Sequence, residues 1–218
     1  MLHYTNVPYY SQFQDMPEVQ WRQESCGLAS LAMEIQYYKP KLSVSLVTLL
    51  KQALADGAYE PSAGWKHLQL AEVADQYGLV GSTADFTAMS DAKALAAMET
   101  MLADGPVIAS IHNKFNPNAS LGHLVVVTGF TDTTVYYHDP ASTKTEHQIS
   151  VEGFLRGWKK MLIVVRDNGT APTSIAATLT ASTPSAYMKN LLAYNSANMP
   201  AVFNTYDSTA NVLVSIDR

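Results

Sequence analysis

"VQWRQESCGLASLAMEIQYY", residues 19–38, holds the only cysteine of the 218-residue chain. Up to Ser25 the run is polar and reads as a loop. From Cys26 the pattern changes: Leu28, Leu31, Ala32 and Ile35 recur at helical spacing, and Lys39–Pro40 ends the run. Ser25 is of the N-capping type, so Cys26 stands at a helix start. A helix N-terminus and a neighbouring imidazolium both favour the thiolate form of a thiol, which is the nucleophilic form. Gly27 and two alanines behind it are small enough to let a substrate backbone approach. The competing reading is a buried cysteine acting as a small hydrophobe, the commoner role of a lone cysteine.

Further along, "GHLVVVTGF" (122–130) is a strand with apolar residues on both faces and His123 at its mouth. The turn residues of "TDTT" predict a hairpin to "VYYHD". A three-residue loop, Thr131 to Thr133, pairs Val125 with Asp139. Asp139 then shares a face with His123, one diagonal step away at about 7–8 Å between Cα atoms. A two-residue loop puts Asp139 on the other face. Cysteine, histidine and an orienting carboxylate are the parts of an activated nucleophile.

Around these residues the chain reads as helices first and strands after. "SVSLVTLLKQAL", "GWKHLQLAEVADQYGL" closed by Gly78, and "SDAKALAAMETMLADGP" capped by Ser90 are helical. "PVIASI", "GHLVVVTGF", "TVYYHD" and "MLIVV" form an antiparallel meander, with a short helix, "SVEGFLRGW", before the last strand. This is an α+β pattern. Phe154 and Trp158 read as core. The Tyr9–Tyr10 pair lines a cleft or caps the core.

In order and spacing, "VPYYSQ", "SCGLASLAMEIQYY", "GWKHLQLAEVADQYGL", "LADGPVIASI", "GHLVVVTGF", "VYYHDPAS" and "VEGFLRGW" resemble the C39-like cysteine peptidases, a branch of the papain-like superfamily. The resemblance runs from about Asn6 to Val165. It implies a papain-like fold, with a helical half that carries the nucleophile at a helix N-terminus packed on an antiparallel sheet half. It implies peptide-bond hydrolysis with Cys26 as nucleophile, His123 as base and Asp139 as orienter. It also implies a glutamine in the oxyanion hole beside the Cys26 N–H. The general papain-like spacing, six residues before the cysteine, selects Gln20. The C39-like "VPYxxQ" segment selects Gln12, which is preferred; Gln23 is third. Truncating either of the first two is expected to leave folding nearly unchanged. Leu28 replaces the proline common after "CG" in the family.

The substrate class expected from such relatives is a peptide: a peptidoglycan cross-link peptide, as for standalone members in cell-wall or phage settings, or a leader peptide. Acyl transfer to an amine and a non-catalytic peptide-binding module of the same fold are the other readings. The net charge of −5 without a basic run argues against nucleic acid. No apolar stretch approaches the roughly 20 residues of a membrane span. Histidine spacing offers no metal motif and no cofactor is expected. "MLHYTNVPYY" lacks the regions of a signal peptide, which leaves localisation open between the cytoplasm and an extracellular or virion-associated setting. Residues 1–166 are read as the peptidase domain. Residues 167–218, rich in Thr, Ser and Ala at first, are read as a linker and C-terminal extension, a tether or assembly contact.

Overall fold

The computed structural model describes residues 2–4 and 6–167. β1 (Leu2–His3) comes first, and a loop with one 3-10 turn leads to α1 (Cys26–Tyr38). α2 (Leu46–Ala55) follows, with Ser45 accepting the Thr48 N–H as N-cap. The small hairpin β2 (Tyr59–Glu60) and β3 (Gly64–Trp65) leads into α3 (His67–Glu72). α3 is shorter than its periodicity predicts. It passes into a 3-10 turn over Val73–Tyr77, and Gly78 ends it in the left-handed conformation at φ 71°.

β4 (Leu79–Asp85) is a strand that the sequence reading left out. It then gives way to α4 (Asp91–Ala103), capped by Ser90 as expected. β5 (Val107–His112), β6 (Gly122–Phe130), β7 (Thr134–His138) and β8 (His147–Ser150) form the meander. α5 (Val151–Gly157) and β9 (Trp158–Asp167) complete the described chain. The extension expected after residue 166 lies outside the described residues, apart from Asp167.

The strands make one antiparallel sheet in the order β4-β9-β5-β6-β7-β8, with β1 paired to the far end of β6. The topology is therefore not the plain meander expected: β9 returns to lie between β5 and the early strand β4. Alternation along β5 explains why the sheet is covered twice. Ile108 enters a core with Leu28, Leu31 and Leu70 of α1 and α3, while Val107, Ala109 and Ile111 enter another with Leu95, Met98 and Phe154 of α4 and α5. Phe154 and Trp158 belong to that second core, as their spacing predicts. Gly81 is required where α3 meets β4, because a Cβ there would lie 1.9 Å from the Ala71 carbonyl oxygen.

The β6–β7 register decides the site. At the hairpin end Phe130 pairs with Val135, so the ladder starts one residue away from the register that a three-residue loop implies. Thr128 then bulges out of β6, and beyond it Val127 pairs with Tyr137 and Val126 with His138. Two departures from the expected hairpin cancel. Without the bulge Asp139 would fall opposite Val126 and face away from His123.

Candidate active site

Cys26 is the first residue of α1, so its backbone N–H has no carbonyl partner within the helix. Ser25 does not cap with its side chain; its hydroxyl donates to the Trp21 carbonyl at 2.6 Å. One turn into α1, the Ser30 hydroxyl donates to the Leu124 carbonyl at 3.3 Å, which ties the helix start to β6 beside His123. Gly27 does not open space for a substrate, as its small size suggested. A Cβ there would lie 2.7 Å from Trp65 Cδ1, so the glycine admits the indole that closes over the helix start. Trp65 in turn donates its N–H to the Glu24 carbonyl and packs with Tyr59 and Trp21.

The His123 imidazole joins the two halves. Its Nε2 lies 2.7 Å from Asp139 Oδ1, and the ring is close enough to Cys26 for the two side chains to interact electrostatically. With Nε2 committed to the carboxylate, Nδ1 is the nitrogen left for the sulfur. Burial by itself pushes the imidazole pKa down. The hydrogen bond to Asp139, the interaction with Cys26 and the negative charge of Asp139 outweigh burial and raise it to about 10. Burial likewise pushes the Asp139 carboxyl up. The hydrogen bond from His123, its positive charge and the Ala141 N–H at 2.9 Å overcome that and hold the carboxyl below its usual range. The arrangement places the imidazole between the Asp139 carboxylate and a sulfur at a helix start.

The segment expected to be extended, Asn6–Gln12, is irregular backbone, yet it anchors both sides of this constellation. The Tyr9 hydroxyl donates to the carbonyls of Asp139 (3.0 Å) and Ser142, and Tyr10 donates to Gln36 Oε1. The two tyrosines thus neither line the cleft nor merely cap the core. The Gln12 side chain is buried, with Nε2 donating to the carbonyls of Arg22 (2.9 Å) and Gln23 (3.2 Å) in the loop before Cys26. Its Oε1 is buried with no hydrogen-bond partner among the described residues. This buried, hydrogen-bonded setting differs from the freely truncatable side chain expected. Gln20 is exposed and turns to Glu18 Oε2 at 3.2 Å, and Gln23 is exposed.

A cavity of about 340 Å³ opens beside Cys26 and His123, bordered by Trp65, His67, Ser110 and Lys159. The same four residues border an adjoining space of about 490 Å³ that reaches Thr83 and Asp85 on β4. Ser120 and Leu121, at the end of the polar loop before His123, line the near part, as the position of that loop suggests. Sequence reasoning missed Trp65, His67, Ser110 and Lys159, because nothing local marks them as neighbours. His138 is buried against Tyr9, and its pKa is pushed down to about 4, chiefly by burial. Among the described residues no group of three or more His, Cys, Asp or Glu side chains is arranged to hold a metal ion.

A family described as "Peptidase_C39 like family" matches residues 4–164. Solved structures share the fold. A putative C39-like peptidase from Bacillus anthracis is 21% identical with a TM-score of 0.53, over 77% of this chain and 98% of its own. The peptidase domain of Streptococcus ComA, a bifunctional ABC transporter of a quorum sensing pathway, is 18% identical with a TM-score of 0.55, over 75% of this chain and 100% of its own. A double glycine motif protease from an AMS/PCAT transporter, in complex with its leader peptide, is 21% identical with a TM-score of 0.50, over 77% of this chain and 99% of its own. No curated protein matches the sequence significantly.

Proposed function

The chain belongs to the Peptidase C39-like family, and from that membership we propose that it is a cysteine peptidase with Cys26 as nucleophile, His123 as general base and acid, and Asp139 as orienter. The observation that carries this reading is the imidazole held between Asp139 Oδ1 at 2.7 Å and the Cys26 side chain. The Cys26 thiolate attacks the scissile carbonyl carbon, and the resulting oxyanion is met by the Cys26 N–H. His123 then gives its proton to the leaving amine as the C–N bond breaks, which leaves a thioester. Water, deprotonated by His123, attacks the thioester; the acid leaves and the thiolate and imidazolium are restored.

Gln12 is the proposed second oxyanion donor. Both protons of its Nε2 are engaged at rest, and the weaker contact, to Gln23 at 3.2 Å, is the one exchanged for the oxyanion. Gln20 donates instead to Glu18 Oε2.

The proposed substrate is a peptidoglycan cross-link peptide. A second reading, leader-peptide processing, draws its support from the likeness to the double glycine motif protease that holds a leader peptide. Iodoacetamide labelling at pH 6 tests the nucleophile. Cys26 is expected to react faster than a free thiol, and His123→Ala to abolish the difference. Labelling at the free-thiol rate in both proteins would instead support a non-catalytic peptide-binding module. New amine ends released from purified peptidoglycan or from a double-glycine leader peptide separate the two substrates, and Cys26→Ala is the control.

A further inference from the structure

Lys159 and Lys160 are extra residues in β9. On β5 Ser110 and Ile111 are adjacent, but their β9 partners are Met161 and Trp158, so the two lysines bulge from the ladder. The bulge carries strain: Lys160 sits at φ 57°, a left-handed conformation that non-glycine residues rarely adopt. It is also pinned. The Lys160 carbonyl accepts the Phe86 N–H at 2.8 Å, its ammonium reaches Asp91 Oδ1 at 2.7 Å and the Met89 carbonyl at 2.9 Å, and the Trp158 indole donates to the Met161 carbonyl at 3.2 Å. Lys160 is thereby held towards α4, and Lys159 turns into the cleft.

There Lys159 borders both parts of the cleft, and its ammonium lies over Gly122, next to His123; a Cβ on Gly122 would be 2.8 Å from Lys159 Nζ. It is the only lysine or arginine among the described residues that line the cleft, and no carboxylate among them lies within ion-pair distance of it. Glu24 borders the Cys26 end and Asp85 the far end, where Asp85 accepts the Thr87 N–H and hydroxyl. His67 faces the same space. Burial first, and then the charge of Lys159, lower its pKa, which disfavours a second cation there.

A lysine without a counter-ion at the wall of a cleft gains by meeting an anion there. Bulges and strained residues next to an active site commonly re-aim a side chain for such a purpose. We propose that Lys159 is a carboxylate subsite, which selects substrates carrying an acidic side chain or a free terminal carboxylate close to the scissile bond. Lys159 Nζ lies over Gly122, the residue before His123, and borders the same space as Cys26, so the carboxylate lies close to the bond cleaved. The inference rests on the cysteine peptidase reading, because it takes Cys26 as the reacting group.

The test uses irreversible probes of Cys26 on the full chain, each charged probe paired with its neutral amide. Iodoacetyl-glycine against iodoacetyl-glycinamide reads a terminal carboxylate. Iodoacetyl-glutamic acid α-amide against iodoacetyl-glutamine amide reads a side-chain carboxylate. In the wild type at least one charged probe is expected to be favoured over its amide, relative to the same ratio on a free thiol. Lys159→Met should lower that ratio by about fivefold. Lys159→Glu should lower it further, Lys159→Arg should restore it, and 1 M salt should compress the differences. The pair that responds identifies the source of the carboxylate. Ratios unchanged by Lys159→Met while iodoacetamide still labels Cys26 rapidly would overturn the subsite alone. Slow labelling by every probe would overturn the peptidase reading instead.

Discussion

The backbone N–H of Gln12 donates to the Pro140 carbonyl at 2.9 Å, so the residue that braces the loop before Cys26 is also tied to the turn that presents Asp139. The proposed nucleophile and orienter, Cys26 and Asp139, come from segments more than 100 residues apart. A single strap, Tyr9 to Gln12, holds both.

Gln12→Ala is therefore expected to act twice. Loss of the proposed oxyanion donor should lower turnover of a peptide substrate by about 10², with KM little changed. Loss of its two hydrogen bonds in a buried setting should lower stability by about 1–3 kcal/mol. Gln12→Glu keeps the volume without the N–H donors and should show the same kinetic defect. Gln20→Ala, at an exposed position, should change stability by less than about 0.5 kcal/mol and turnover only slightly. Steady-state kinetics and urea midpoints on the three variants decide the assignment, and the reverse order would move the oxyanion role to Gln20.

The pH profile follows from the raised pKa of His123. A base whose folded pKa is about 10 keeps its proton through neutral pH and releases it as pH rises through that value. Turnover should therefore persist to about pH 9 and then decline, since protonation of the leaving amine needs the imidazolium. The hydrogen bond to Asp139 is the largest of the influences that raise the value. Asp139→Asn should move the alkaline limb down by about one pH unit or more. An unchanged limb would remove Asp139 from the mechanism.

Glu34, on the same helix as Cys26, gives a stability prediction that does not depend on activity. It is fully buried, and neither carboxylate oxygen has a hydrogen-bond partner among the described residues. Burial raises its pKa to about 8, against the opposing charge of Arg166. In the unfolded chain a glutamate loses its proton near pH 4.3, about the model-peptide value. Between there and pH 8 the folded state binds more protons than the unfolded one, so stability falls as pH rises across that window. Glu34→Leu should flatten the decline and exceed the wild type in urea midpoint most clearly at pH 8. A difference between the two proteins that is independent of pH would show that Glu34 does not hold a proton when buried.

The sequence by itself determined the elements with strong local signals. The periodicity after Ser25 places the start of α1 at Cys26, and Ser90 caps α4. The apolar runs in β5, β6 and β9 identify the strands at the centre of the sheet. The family resemblance added the candidate roles of Cys26, His123 and Asp139. β4 escaped because it is a largely exposed edge strand with a glycine inside, so its apolar alternation is weak. Only the tertiary structure decided which face carries Asp139, because that depends on the bulge at Thr128 and not on loop length. It also decided that Gln12 is buried against the loop before Cys26 while Gln20 is exposed, since spacing along the chain says nothing of which loop a side chain meets in space. The direction of Lys159 has the same origin. Pairing with β5 leaves two residues of β9 over, and contacts with Phe86, Met89 and Asp91 from a distant part of the chain send one lysine outward and the other into the cleft.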